Sequence, residues 1–196
     1  MDRPLHLFAG WQQWRRKATG AQKLYGAIVA QTRLPVFYQA FGVPDTLDGR
    51  FVVLSLHLFA VLHRLRREGA SQAVDLSQQL VDLFAQDIET VLRETGVGDL
   101  SVPKKMRALA AKSANLLQSY EVSFTAGDTA FVAVLAGVLP LDGEAAEDAG
   151  KSLASYVKYV MEQLDAQRVP ILSAGKVEFP VISEESVILL RDRYDD

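Results

Sequence analysis

The side chains of this 196-residue chain that could do chemistry are three histidines, scattered carboxylates, a glycine pair and a cluster of tryptophans and cations. His57 and His63 lie six residues apart in FVVLSLHLFAVLHRL. At 3.6 residues per turn they point about 120° apart, so they cannot easily hold one metal together. His57 reads as a hydrogen-bonded core histidine, with a haem contact as the rival reading. His63 reads as a surface residue beside Arg64, Arg66 and Arg67, and His6 sits near the chain's start. The paired carboxylates Asp87 with Glu94 and Glu184 with Glu185 fall in no polar cluster suited to acid–base work, and read as solvated faces. GVGDL from Gly96 follows a helical pattern, which makes it a helix end and turn rather than a phosphate cradle. Serine-hydrolase elbows, dinucleotide and Walker loops, HExxH and paired DDxxD clusters do not occur. The absence of cysteine removes disulfides, thiolate zinc sites and a thiol nucleophile, and fits a reducing cytosol. The expectation is a protein that binds another protein, with no catalytic residue, no metal, no cofactor and no small-molecule substrate.

Two surfaces stand out. Leu7, Trp11, Trp14 and Ala18 follow helical spacing, with Phe8 beside them and Arg15, Arg16 and Lys17 directly adjoining. Tryptophan flanked by cations suits a helix in a membrane interface or against a partner. The same residues could instead pack on the rest of the fold with the arginines in solvent. Contact with RNA phosphates is conceivable, but no motif supports sequence-specific nucleic-acid binding. The second surface is the turn-rich stretch VFYQAFGVPDTLDGR, where Phe37, Tyr38 and Phe41 crowd beside Gly42, Pro44 and Asp45, bordered by Arg33 and Arg50. Aromatics and arginines on a fixed turn are suited to gripping a protein. The alternative is a structural corner in which Asp45 caps the next helix or pairs with Arg50.

Helices must position these residues. Nearly half the residues are apolar and about a quarter charged, an ordinary globular composition, and the length suits one domain with appendages. No secretory signal opens the chain, and the apolar runs from Phe51 and Phe131 fall short of a bilayer span. Residues 1–40 carry a net charge of +5 and residues 142–196 one of −6. That asymmetry suggests an anionic partner near the start, or two faces that attract each other weakly. Apolar residues at helical spacing predict helices over roughly 5–17, 21–32, 48–68, 76–95, 101–124, 128–139 and 142–164, with a final turn or two from Ser183. Asp48, Ser101 and Asp142 are the expected N-caps, and Gly69 an expected stop. The helix from Phe51 is apolar on both sides and therefore central. The expected fold is all-α, a single-domain irregular bundle of six to seven helices, with a short extended segment near 176–182. Three parts are expected: a basic, Trp-containing helix at 1–20, a helical domain at 21–170 and an acidic extension packed on it at 171–196.

The stretch YGAIVAQTRLPVFYQAFGVPDTLDGRF, residues 25–51, resembles the ubiquinol–cytochrome c chaperones, the assembly factors of the cytochrome bc complex. The matching elements are Tyr25, Gln31-Thr32-Arg33, Pro35, Phe37-Tyr38, Gly42-Val43-Pro44-Asp45-Thr46 and Gly49-Arg50-Phe51, followed by Leu56-His57 and Arg64-Leu65. LRETGVGDLSVPKKM, residues 92–106, is similar to the family's second block. Val52 departs from the pattern, standing where an acid is expected. The resemblance implies a non-enzymatic chaperone that binds newly made cytochrome b until its haems and partner subunits arrive. It implies contact through Arg33, Phe37, Tyr38, Phe41, Asp45 and Arg50, with Trp11, Trp14, Arg15, Arg16 and Lys17 toward a membrane surface, and the ribosome as a further candidate partner. The lack of a mitochondrial presequence implies a bacterial member in the cytoplasm, peripheral at the inner face of the plasma membrane. A peripheral membrane or haem-handling module is the rival.

Overall fold

The computed structural model describes the backbone of residues 19–94 and 102–194, and the side chains of 19–91, 93–94 and 107–190. Among them lie nine helical segments and no strand: α1 Gly20–Thr32, α2 Val36–Gln39, α3 Leu47–Glu68, α4 Ser71–Glu94, α5 Val102–Ala126, α6 Asp128–Val138, α7 Gly143–Asp165, α8 Val169–Ser173 and α9 Glu184–Tyr194. The all-α reading holds. The count exceeds six to seven because α2 and α8 are single turns of four and five residues, too short for a 3.6-residue period to register. The expected helix over 5–17 lies outside the described residues.

Local chemistry sets the helix ends. Thr19 and Gln22 form a reciprocal capping box at the start of α1. α1 stops at Thr32 because Pro35 disfavours helical geometry in the residue before it. At the start of α3 the cap is Thr46, whose Oγ1 accepts from the Gly49 N–H at 3.1 Å, and not Asp48 as expected. Asp48 instead lies inside the first turn, where its charge faces the positive end of the helix dipole. Gly69 ends α3 in the left-handed region, at φ +66°. Asp142 precedes α7 without a side-chain cap bond, and the expected cap Ser101 lies outside the described residues. Ser183 caps α9, accepting from the Ser186 N–H at 3.3 Å.

α3 is the central helix. It touches α1, α4, α5 and α7, so Val53, Leu54, Leu56, Leu58 and Val61 are buried around its whole circumference. Val52 is buried with them, which explains an apolar residue where an acid was expected. α6 is sandwiched between α5 and α7; a Cβ on Gly150 would lie 3.1 Å from the Ala136 backbone, so glycine permits that close approach. α8 seats against α1, and α9 against α7 through Val187 and Leu190. The boundary expected between residues 170 and 171 therefore falls inside α8. Residues 176–182 pair with no strand; side chains fasten them as a strap. No helix among the described residues is long and apolar enough to cross a membrane.

Candidate functional site

The corner from α1 to α3 is rigid for reasons legible at each residue. The Tyr38 hydroxyl donates to the Thr32 carbonyl at 2.8 Å, tying α2 back to the end of α1. Burial pushes the Tyr38 phenol up to about 12, although Arg50 pulls the other way. The Arg50 guanidinium lies 5.7 Å over the Tyr38 ring and donates from Nε to Asp45 at 2.6 Å. That bond holds the Asp45 carboxyl below its ordinary range. Of the two roles open to Asp45, pairing with Arg50 is the one observed. Gly42 takes φ +76° to turn the chain. A Cβ on Gly49 would stand 2.0 Å from the Pro44 carbonyl oxygen, so no other residue fits.

Two of the expected contact residues are not on the surface. Phe37 and Phe41 are both 0% exposed. They are four residues apart across α2, which puts both rings on its inner side. Phe37 lies edge-on to His57 and Tyr156 at 5.2 and 5.1 Å, and Phe41 lies 5.4 Å from Tyr156. The aromatic grip expected from the sequence is thus a core cluster, because the residues between Pro35 and Gly42 form a helical turn with an inside. Arg33 and Asp45 are exposed, and Tyr38 and Arg50 are half-buried. Together they form a polar rim over that cluster.

Beneath the rim runs a buried polar chain. The Nδ1 of His57 is 2.7 Å from the Val53 carbonyl and must donate to it; Nε2, 2.7 Å from the Tyr156 hydroxyl, must then accept. Gln31 Nε2 donates to both the Tyr156 oxygen and the Pro180 carbonyl, at 3.3 and 3.2 Å. Phe179 closes the cluster 5.6 Å from His57. This fastens the 176–182 strap onto α1, α3 and α7. Burial depresses the His57 pKa to about 4, so it is neutral at physiological pH. With both ring nitrogens engaged it has no lone pair to offer a haem iron, which removes the residue that motivated the haem-handling alternative. Tyr156, 99 residues from His57, carried no local signal; only its place on an apolar stripe was readable.

Two other titratable clusters differ from expectation. Asp87 is no solvated carboxylate: it accepts from buried Tyr25 at 3.0 Å, and burial raises its pKa to about 6 despite Arg33 nearby. His63 is not a surface residue, its side chain being 16% exposed; it lies 3.1 Å from Glu121, which Arg66 also grips at 2.9 Å. Beside this group, α4 and α5 both rest on α3 and touch one another, with an apolar cleft of about 350 Å³ among the three. Among the described residues no three His, Asp or Glu side chains gather as metal ligands. Trp11, Trp14, Arg15, Arg16 and Lys17 lie outside the described residues.

Comparison with known proteins gives a consistent result. A family model described as Ubiquinol-cytochrome C chaperone matches residues 39–179. The chain is 34% identical to the Cbp3 homolog from Brucella abortus, whose crystal structure it matches at TM-score 0.74, covering 85% of this chain and 90% of that one. It is 23% identical over 188 residues to the ubiquinol-cytochrome-c reductase complex assembly factor 1 of Xenopus laevis, covering 92% of this chain and 90% of the relative. Identity is also 23% to the factor of that name from Mus musculus, of which the match spans 59%.

Proposed function

The chain belongs to the ubiquinol–cytochrome c chaperone family, and from that membership we propose that it promotes assembly of the cytochrome bc complex by binding unassembled cytochrome b. The family match carries this reading: it runs from Gln39 at the end of α2 to Phe179 of the strap and takes in Asp45 and Arg50 of the corner. The contact surface is the rim formed by exposed Arg33 and Asp45 with half-buried Tyr38 and Arg50. Phe37 and Phe41 serve it from below, by keeping the rim rigid. A polar rim with two guanidiniums suits the acidic side chains and backbone carbonyls of a membrane protein's loops better than its apolar spans. Such a client is met at the inner face of the plasma membrane, approached from the cytoplasm.

The test is a charge reversal. Arg33→Glu with Arg50→Glu, introduced at the native locus, is expected to lower the bc-complex level and the cytochrome b recovered with a tagged chain, while the chain itself accumulates normally. Unchanged complex levels after deletion of the whole gene would reject the function. Normal assembly in the double variant alone would reject only the rim.

A further inference from the structure

The cleft among α3, α4 and α5 remains unaccounted for by the rim. Leu62, Phe84, Ile88 and Leu117 wall it, and the small residues Ala85 and Ala114 leave it hollow. Past Arg66 it continues along the α3–α4 junction, by Leu65 and Val74, into a second hollow of about 280 Å³. The two hollows share Leu62, Arg66 and Val81 and form one groove. From Val74 to Ile88 it follows α4 for about 21 Å, at 1.5 Å per residue.

The residues of its walls have the spacing of a helix seam. α4 carries two such lines. Ala73, Leu76, Leu80 and Phe84 are buried in the core. Val74, Gln78, Val81, Ala85 and Ile88 step alternately four and three residues and line the groove. α5 repeats the alternation on the other wall with Ala110, Ala114, Leu117 and Glu121. That alternation is how a helix meets another helix running alongside it. Here both seams border open water: Val74 and Val81 are 63% and 36% exposed, and Ala110 and Ala114 are exposed as well. α3 packs on both walls. Three helices thus surround a groove with the length and the spacing for a fourth.

We propose that this groove takes an amphipathic helix of a partner protein, apolar on one side and basic along one flank. This goes beyond the assembly reading and does not depend on the identity of the client. A helix of about fourteen residues runs the groove's length. Its bulky apolar side chains enter the hollows beside Ala85, Ala110 and Ala114 as knobs enter holes. Charge specifies the flank. Asp75, Asp82 and Glu89 follow Val74, Val81 and Ile88 by one position each, so they form a ridge in register with the seam. Arg93 engages Glu89 at 2.8 Å, and the ridge's net charge resides at exposed Asp75 and Asp82. Inside the groove, Arg66 and Glu121 match one another at 2.9 Å. On the other wall the exposed residues beside the seam are Ala111, Asn115 and Val122, all uncharged. Arg107 stands a turn before Ala110, outside the lining. The charged flank of the groove is therefore acidic, and it is complemented by lysines or arginines on the facing flank of the occupant.

The test uses the full chain and three dye-labelled synthetic peptides of about fifteen residues. One has leucines at alternating four- and three-residue spacing with lysines along one flank. The second has glutamates in place of the lysines. The third has the composition of the first with its spacing scrambled. The basic peptide is expected to bind with a saturable rise in anisotropy and a gain in helical circular dichroism. The acidic peptide should bind several-fold more weakly, and the scrambled one should not bind. Ala110→Gln with Ala114→Gln fills the hollows from exposed positions on α5, and should weaken the basic peptide several-fold with the urea midpoint kept. Asp75→Lys with Asp82→Lys should transfer the preference to the acidic peptide. The proposal is overturned if the basic peptide does not bind, if the scrambled or acidic peptide binds as tightly, or if the alanine double variant binds like the unaltered chain. A chain that sediments as a dimer, and as a monomer once those alanines are replaced, holds a second copy in the groove, which also overturns it.

Discussion

His57 and Asp87 titrate in overlapping windows and push stability in opposite directions. His57 is buried neutral, with a folded pKa near 4 against about 6.5 when exposed. The unfolded chain therefore binds the extra proton between those values, and stability falls as pH drops through them. At pH 5 that amounts to about 2 kcal/mol relative to pH 7. Asp87 has a folded pKa near 6 against 3.8 in water. Here the folded chain binds the extra proton, so stability rises as pH drops from 6 toward 4. The gross gain at pH 5 is about 1.3 kcal/mol, and partial exposure reduces it to roughly 1 kcal/mol or less. The unaltered chain should thus lose only about 1 kcal/mol from these two groups between pH 7 and pH 5. Asp87→Asn removes the compensating group and should steepen the loss to about 2 kcal/mol. His57→Gln keeps an acceptor near Nε2 but does not titrate, so it should turn the loss into a small gain. Urea melts of the three proteins at pH 7, 6 and 5 read this directly, since every other carboxylate is common to all three. Parallel curves would refute the reasoning.

The remaining expectations concern the corner and its support. Tyr156→Phe leaves the buried His57 Nε2 without a donor and should lower stability by about 2–3 kcal/mol, measured by urea midpoint at about pH 7.5. Gly49→Ala, meeting the Pro44 carbonyl, should destabilise more than Gly42→Ala, which carries about 1 kcal/mol of left-handed strain; thermal melts rank the two. Phe37→Ala and Phe41→Ala should each cost about 3–5 kcal/mol as core deletions, and soluble yield should fall with them.

The periodic elements were legible from the sequence because apolar spacing survives any tertiary arrangement. Leu54, Leu58, Leu80, Phe84, Leu153 and Leu164, apolar at helical spacing within the expected helices, are all buried. Gly69 and Pro35 end helices as their backbone chemistry dictates. What escaped was of two kinds. Single turns such as α2 have no period, so Phe37 and Phe41 looked like surface aromatics when they are an inward pair. Polar contacts across the fold are invisible to local reading: Tyr25 with Asp87, Gln31 with Pro180 and His63 with Glu121 each join residues dozens of positions apart. A carboxylate on an amphipathic helix looks solvated until the helix packed beside it is known.

The residues that carried the family resemblance turn out to be mostly scaffolding. Gln31 holds the strap, Thr32 receives Tyr38, Phe37 fills the core, Gly42 and Gly49 admit the turn, and His57 joins α3 to α7. Substituting any of them would abolish activity by unfolding the corner, and such a loss says nothing about docking. Arg33 and Arg50 are different. The Arg50–Asp45 pair is solvent-exposed, with side chains 37% and 53% accessible, and exposed pairs contribute about 0–1 kcal/mol. Arg50→Ala should therefore leave the urea midpoint nearly unchanged while weakening recovery of cytochrome b, whereas Phe37→Ala should lower both together. If Arg50→Ala binds the client as well as the unaltered chain does, the rim is a buttress of the corner, and client contact must be sought on another face.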